Sequence, residues 1–95
     1  MAVSKVYETF FRENYKVRVK KDIKNDGTFP GYKLGELIVE KGSEGYVKEI
    51  GEFLFKPVIF VHFLDKNIIV GFREEELEVI EYYDFELGKW IKVTK

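Results

Sequence analysis

Two features of this 95-residue sequence carry groups that could act as acids, bases or ligands: the single histidine, His62, and the run Arg73-Glu74-Glu75-Glu76. Catalysis by His62 would need a partner that positions or activates the imidazole. With no cysteine and no second histidine, that partner would have to be a carboxylate. A hydrogen-bonded structural histidine is therefore the expected role, and a contact within an interface is the functional alternative. The glutamates could hold a hard cation, yet consecutive residues point in different directions and converge poorly on one ion. They read as an acidic turn, either solvated or used for docking. A third feature, Lys16, Arg18 and Lys20 on one strand face, could track phosphates, but no aromatic platform for stacked bases is interleaved with it.

Composition narrows these readings. Without cysteine there is no disulfide and no thiolate ligand for zinc or an iron–sulfur cluster, and one imidazole is too few for the usual transition-metal site. No catalytic residue, resident metal or cofactor is expected. A net charge of -1 gives no bulk attraction to nucleic acid or to an anionic membrane. No stretch approaches the roughly 20 apolar residues that span a bilayer, and the N-terminus lacks the apolar run of a signal peptide, so a cytoplasmic protein is expected. With 45% hydrophobic and 17% aromatic residues, the chain can fill one core, and residues 1–95 are read as a single domain.

The elements that must position these groups read mainly as strands. From Tyr15 to Asp22 apolar and basic residues alternate with a period of two. Upstream, Val3, Val6 and Phe10 behind Ser4 have the spacing of a short helix. Ile23 to Glu36 reads as a long structured loop with turn chemistry at Asp26-Gly27 and Pro30-Gly31. Leu37 to Val39 is a short apolar piece. Gly45 to Ile50 is a second strand, whose glycine suggests a bulge or a close backbone approach. Val58 to Leu64 is a central strand, Ile68 to Phe72 its hairpin partner, Glu74 to Glu76 a single tight turn and Leu77 to Ile80 a closing strand. The sum is mainly β: a five-stranded SH3-like barrel over 15–80, with an N-terminal extension and a C-terminal hairpin over 81–95.

On the central strand both faces are apolar: Ile59, Val61 and Phe63 on one, Val58, Phe60, His62 and Leu64 on the other. One face fills the core. The other needs a cover from the N-terminal segment, the C-terminal hairpin or a partner.

The strings Lys24-Asn25-Asp26-Gly27-Thr28-Phe29-Pro30-Gly31, Gly42-Ser43-Glu44-Gly45-Tyr46-Val47, Val61-His62-Phe63-Leu64-Asp65 and Val70-Gly71-Phe72-Arg73-Glu74-Glu75-Glu76-Leu77 occur in that order. Together they resemble the NifZ family of nitrogen-fixation accessory proteins, from about Tyr15 to Ile80. The resemblance implies an SH3-type barrel that assists, like a chaperone, assembly of the iron–sulfur P-cluster in the nitrogenase molybdenum–iron protein. Its partners would be that protein or its immature form, with other nitrogenase assembly factors as further candidates, and neither membrane nor nucleic acid is expected. Candidate partner contacts are Asn25, Asp26, Thr28, Phe29 and Pro30 of the loop, His62, and Arg73, Glu74, Glu75 and Glu76 of the turn. Two competing functions are a regulatory or shielding subunit of another iron–sulfur enzyme and a nucleic-acid- or ribosome-associated barrel using Lys16, Arg18 and Lys20.

Overall fold

The computed structural model describes residues 9 and 11–93. The alternation after Tyr15 forms β1 (Lys16–Val19), with Val17 and Val19 buried and Lys16 and Arg18 on the opposite face. Seven further strands follow: β2 (Ile23–Lys24), β3 (Leu37–Val39), β4 (Glu44–Phe53), β5 (Lys56–Phe63), β6 (Ile68–Phe72), β7 (Leu77–Asp84) and β8 (Lys89–Lys92). A 3-10 turn over Glu74–Glu76 joins β6 to β7. The expected helix through Val3, Val6 and Phe10 lies outside the described residues.

β1 and β4 are the two middle strands of an antiparallel sheet of order β6-β5-β4-β1-β7-β8. β2 and β3 pair only with each other in a two-stranded ribbon. The fold is mainly β, as expected; among the described residues the sheet has six strands with β6 and β8 at its ends, and no closed barrel is found in place of the expected five-stranded SH3-like one. The C-terminal hairpin expected over 81–95 is present, with Glu81 paired to Lys92 and Tyr83 to Trp90, and its first strand continues β7, which runs from Leu77 to Asp84. The ribbon inside the long loop is held on by its own apolar residues, Ile38 and Val39, and by Lys66, whose Nζ donates 2.9 Å to the Ile38 carbonyl.

The core is the inward row of β1 and of β4 to β7, namely Val17 and Val19, Val47, Ile59, Val61 and Phe63, Val70 and Phe72, Leu77 and Val79, joined by Ile38 and Val39 of β3 and by Phe11. Phe63 and Phe72 meet edge-on at 5.9 Å, a favourable arrangement of ring quadrupoles. Gly45 permits a close approach. A Cβ there would lie 2.7 Å from Val61 Cγ1 and 2.8 Å from the His62 carbonyl oxygen, so any larger residue would push β5 away. The bulge suggested near it falls instead at Lys48, between the Val47 and Glu49 pairings.

The second apolar face of β5 finds part of its cover within the sheet. Phe60 lies across two glycines, with ring carbons 2.9 Å from an ideal Cβ at Gly51 and 3.3 Å from one at Gly71. Beyond β5, Tyr46 pairs with His62, and Trp90 of β8 comes to 6.1 Å of the Tyr46 ring although two strands separate β4 from β8. The sheet must curl strongly to bring them together, and the C-terminal hairpin thereby supplies part of the cover.

Candidate partner-binding site

The loop over 25–31 is organised by one side chain. Asn25 is 3% exposed, and its Nδ2 donates to the carbonyls of Tyr32 (2.8 Å), Lys33 (3.2 Å) and Phe29 (3.3 Å). Its Oδ1 accepts from the backbone N–H of Phe29 (2.9 Å) and Gly27 (3.1 Å). An amide is suited to this position because it offers both donors and acceptors, and these bonds satisfy a backbone that makes almost no ladder of its own. Gly27 and Gly31, at φ 102° and 86°, supply the left-handed residues that the turns require. Asp26 continues the pattern by accepting from the Thr28 hydroxyl and backbone N–H, and these bonds, the hydroxyl's first, hold its carboxyl below the usual range. Phe29 packs edge-on to Tyr32 at 5.3 Å, while Asp26, Thr28 and Pro30 are exposed.

In the acidic turn the glutamates diverge. Glu76 Oε1 accepts 2.8 Å from the backbone N–H of Arg73, and Glu76 N–H donates 3.0 Å to the Arg73 carbonyl, a reciprocal cap on the 3-10 turn. Glu76 Oε2 also lies 3.4 Å from Lys21. Glu74 accepts from the Thr9 hydroxyl. Glu75 is the exposed member of the three, whereas Arg73, Glu74 and Glu76 are half-buried. Glu74 and Glu76 therefore fasten the turn to neighbouring segments, while Glu75 is exposed.

The fold brings the two candidate regions together. Asn25, Asp26, Thr28 and Phe29 line a cleft of 390 Å³ whose other walls include Lys21, Lys24, Ile38, Val70 and Glu76. His62 is not part of it: the imidazole is half-buried on the outer face of β5, with Nε2 3.0 Å from Asn67 Oδ1. Nor is the basic stripe an open row of cations. Lys16 lies 3.4 Å from Glu44 and 3.7 Å from Glu81, and Arg18 donates to Glu44 (3.1 Å) and Glu78 (3.2 Å). Glu44 is held below the usual carboxylate range, first by its hydrogen bond from Arg18 and then by Lys16, with burial opposing. Of the three cations expected on that face, Lys20 is the exposed one.

The profile of the NifZ domain matches residues 8–79. The chain belongs to the NifZ family. It is 43% identical over 68 residues to a putative NifZ protein of Sinorhizobium fredii, covering 70% of this chain and 63% of that one. It is 41% identical over 68 residues to protein NifZ of Azotobacter vinelandii, covering 70% of this chain and 43% of that one. The corresponding protein of Klebsiella pneumoniae is 43% identical over 68 residues, 70% of this chain and 46% of its own length. The aligned part thus spans about half the length of these relatives. No solved structure matches the chain significantly.

The NifZ span contains the Asn25 loop, the β4–β5–β6 meander and the capped turn, and it ends inside β7. Two surface features escaped the sequence reading. One is the β4–β5 turn, where Phe53, Leu54 and Phe55 are 59%, 68% and 76% exposed. The other is a ring cluster in which Tyr83 meets Phe85 at 5.0 Å and Trp90 at 5.6 Å. The signal for the first was three successive apolar residues between Glu52 and Lys56, where strand spacing requires a turn.

Proposed function

We propose that this chain is a non-catalytic nitrogen-fixation accessory protein of the cytoplasm. It assists maturation of the iron–sulfur P-cluster in the nitrogenase molybdenum–iron protein by binding the immature protein. Membership of the NifZ family is the observation that carries this reading. The geometry supports it by directing the chemistry-bearing groups into structural contacts: His62 to Asn67, Glu74 to Thr9 and Glu76 to the Arg73 backbone. A chaperone-like role asks for a rigid surface and no ligand set. That surface is the cleft between loop and turn, with Asp26 and Thr28 on its lining as contacts, and the exposed Pro30 and Glu75, each next in sequence to a lining residue, extending it; Asn25, Phe29 and Glu76 hold its shape. The order of β1, a ribbon-bearing loop, the β4–β5–β6 meander, a 3-10 turn and β7 supports reading the fold as an SH3-like barrel left open.

The test is size-exclusion co-elution with purified cluster-immature and mature molybdenum–iron protein, using the natural chain, Glu75→Lys and Thr28→Lys. The natural chain is expected to bind the immature form alone, and each substitution to weaken that binding at least about tenfold. Equal binding by all three chains would move the contact away from the cleft. No binding of either form at about 50 μM would remove the client and turn attention to other iron–sulfur enzymes.

A further inference from the structure

We propose that the cleft between the β7–β8 hairpin and residues 12–15 docks a basic segment of a partner protein through arginine side chains. The inference is independent of the nitrogenase reading and of the loop-and-turn cleft, since residues 82–86 of this lining lie beyond the matched span of 8–79. The cleft has a volume of 480 Å³. Its rings are braced in pairs, Tyr15 with Tyr82 at 5.7 Å and Tyr83 edge-on to Phe85 at 5.0 Å. Phe85 is 83% exposed and stays outside the core, so its ring face is open to a partner.

Charge selects the occupant. Glu13, Asp84 and Glu86 line the same cleft against a single cation, Arg12, and none of these carboxylates is in an ion pair among the described residues. Arg12 directs its Nη1 donors elsewhere, to the carbonyls of Thr9 (2.6 Å) and Phe11 (3.1 Å). Lys89 stands across the ladder from Asp84, but it lies outside the lining and forms no ion pair with that carboxylate. Asp84 is fixed in place before any partner arrives. Its Oδ1 accepts from the backbone N–H of Glu86 (2.9 Å) and Leu87 (3.0 Å), while Oδ2 accepts nothing among the described residues. Rings and carboxylates alternating along Tyr83-Asp84-Phe85-Glu86 suit a guanidinium, which is planar and weakly hydrated and can stack on a ring while its edge donates to a carboxylate. A lysine ammonium holds its water more tightly and lacks the fork. Nucleic acid is the poorer occupant although bases stack on such rings, because the carboxylates repel its phosphates. An uncharged apolar segment would strip water from the carboxylates without replacing their hydrogen bonds.

The test is a nuclear magnetic resonance titration of the isotope-labelled full chain with a short capped glycine–serine peptide carrying a pair of arginines. Saturable amide shifts are expected at Tyr83, Asp84, Phe85 and Glu86, with a dissociation constant at or below about 1 mM. Citrulline in place of arginine, which keeps the shape and removes the charge, should weaken binding at least about tenfold, and lysine about threefold. The variants Phe85→Ser/Glu86→Lys and, on the other wall, Glu13→Lys change exposed positions, and each should weaken binding at least about tenfold while the remaining resonances show the fold intact. Absence of saturable shifts at about 5 mM peptide overturns the proposal, as does undiminished binding of the citrulline or lysine peptide or by both folded variants. Spermine that binds as tightly as the peptide would assign the cleft to free polyamines. Shifts that follow the concentration of the chain alone would assign it to a second copy. Either result overturns the proposal as well.

Discussion

Asn25 does the work of several residues in its loop. The Asn25→Ala chain would leave three carbonyls without their donor and two amides without their acceptor in a segment whose backbone has few other partners. A loss of about 2–4 kcal/mol in urea denaturation is expected, together with faster hydrogen exchange at Gly27 and Phe29. Glu44 gives a second residue-scale expectation. Its folded carboxyl is depressed, so the stability it contributes is complete above the ordinary glutamate range and is lost as pH falls through the lowered value. Replacing it in a Glu44→Gln chain should therefore flatten the acid side of the melting-temperature profile. At neutral pH the change should stay within about 1 kcal/mol, because the pair is exposed to solvent.

Gly45 and the β4–β5 turn sit at the scale of elements, and they predict opposite signs. Gly45→Ala would force a methyl group against Val61 and the β5 backbone, costing about 1–3 kcal/mol in chemical denaturation. Leu54→Asn/Phe55→Gly should instead stabilise by about 1–2 kcal/mol, since it relieves two residues held at positive φ. Much of this level was legible in the sequence. The alternation in β1, the β5–β6 hairpin and the turn at Glu74–Glu76 followed from periodicity and turn residues alone. The ribbon was not, because Ile23 and Leu37–Val39 pair across an interval of irregular chain organised by Asn25, and periodicity is silent about such long-range pairing. The β4–β5 turn was missed because Leu-Phe reads as strand, and its true conformation contradicts the local preference of both residues. In the candidate site the loop and turn were anticipated separately. Their meeting in one cleft, and the inward commitment of Glu74 and Glu76, depend on tertiary contacts that no local pattern encodes.

At the scale of the whole molecule, stability should be graded from the middle of the sheet outwards. β1 and β4 are paired on both sides and carry fully buried Val17, Val19 and Val47, whereas the β2–β3 ribbon is two and three residues long. Native-state hydrogen exchange is expected to be slowest at Val17, Val19 and Val47, and fastest among the strands at Ile23 and Lys24. Equal protection across ribbon and sheet would contradict this ordering. The gradient leaves the loop that borders the candidate cleft on the least protected part of the fold, where a partner can adjust it at small cost. The curl that carries Trp90 to within 6.1 Å of Tyr46 and 5.6 Å of Tyr83 has one more consequence. Trp90 is the sole indole of the chain, so two phenol rings at van der Waals range make it an energy acceptor inside the folded protein. Its sensitised fluorescence therefore reports, without any label, whether β8 is wrapped against the sheet or has peeled away.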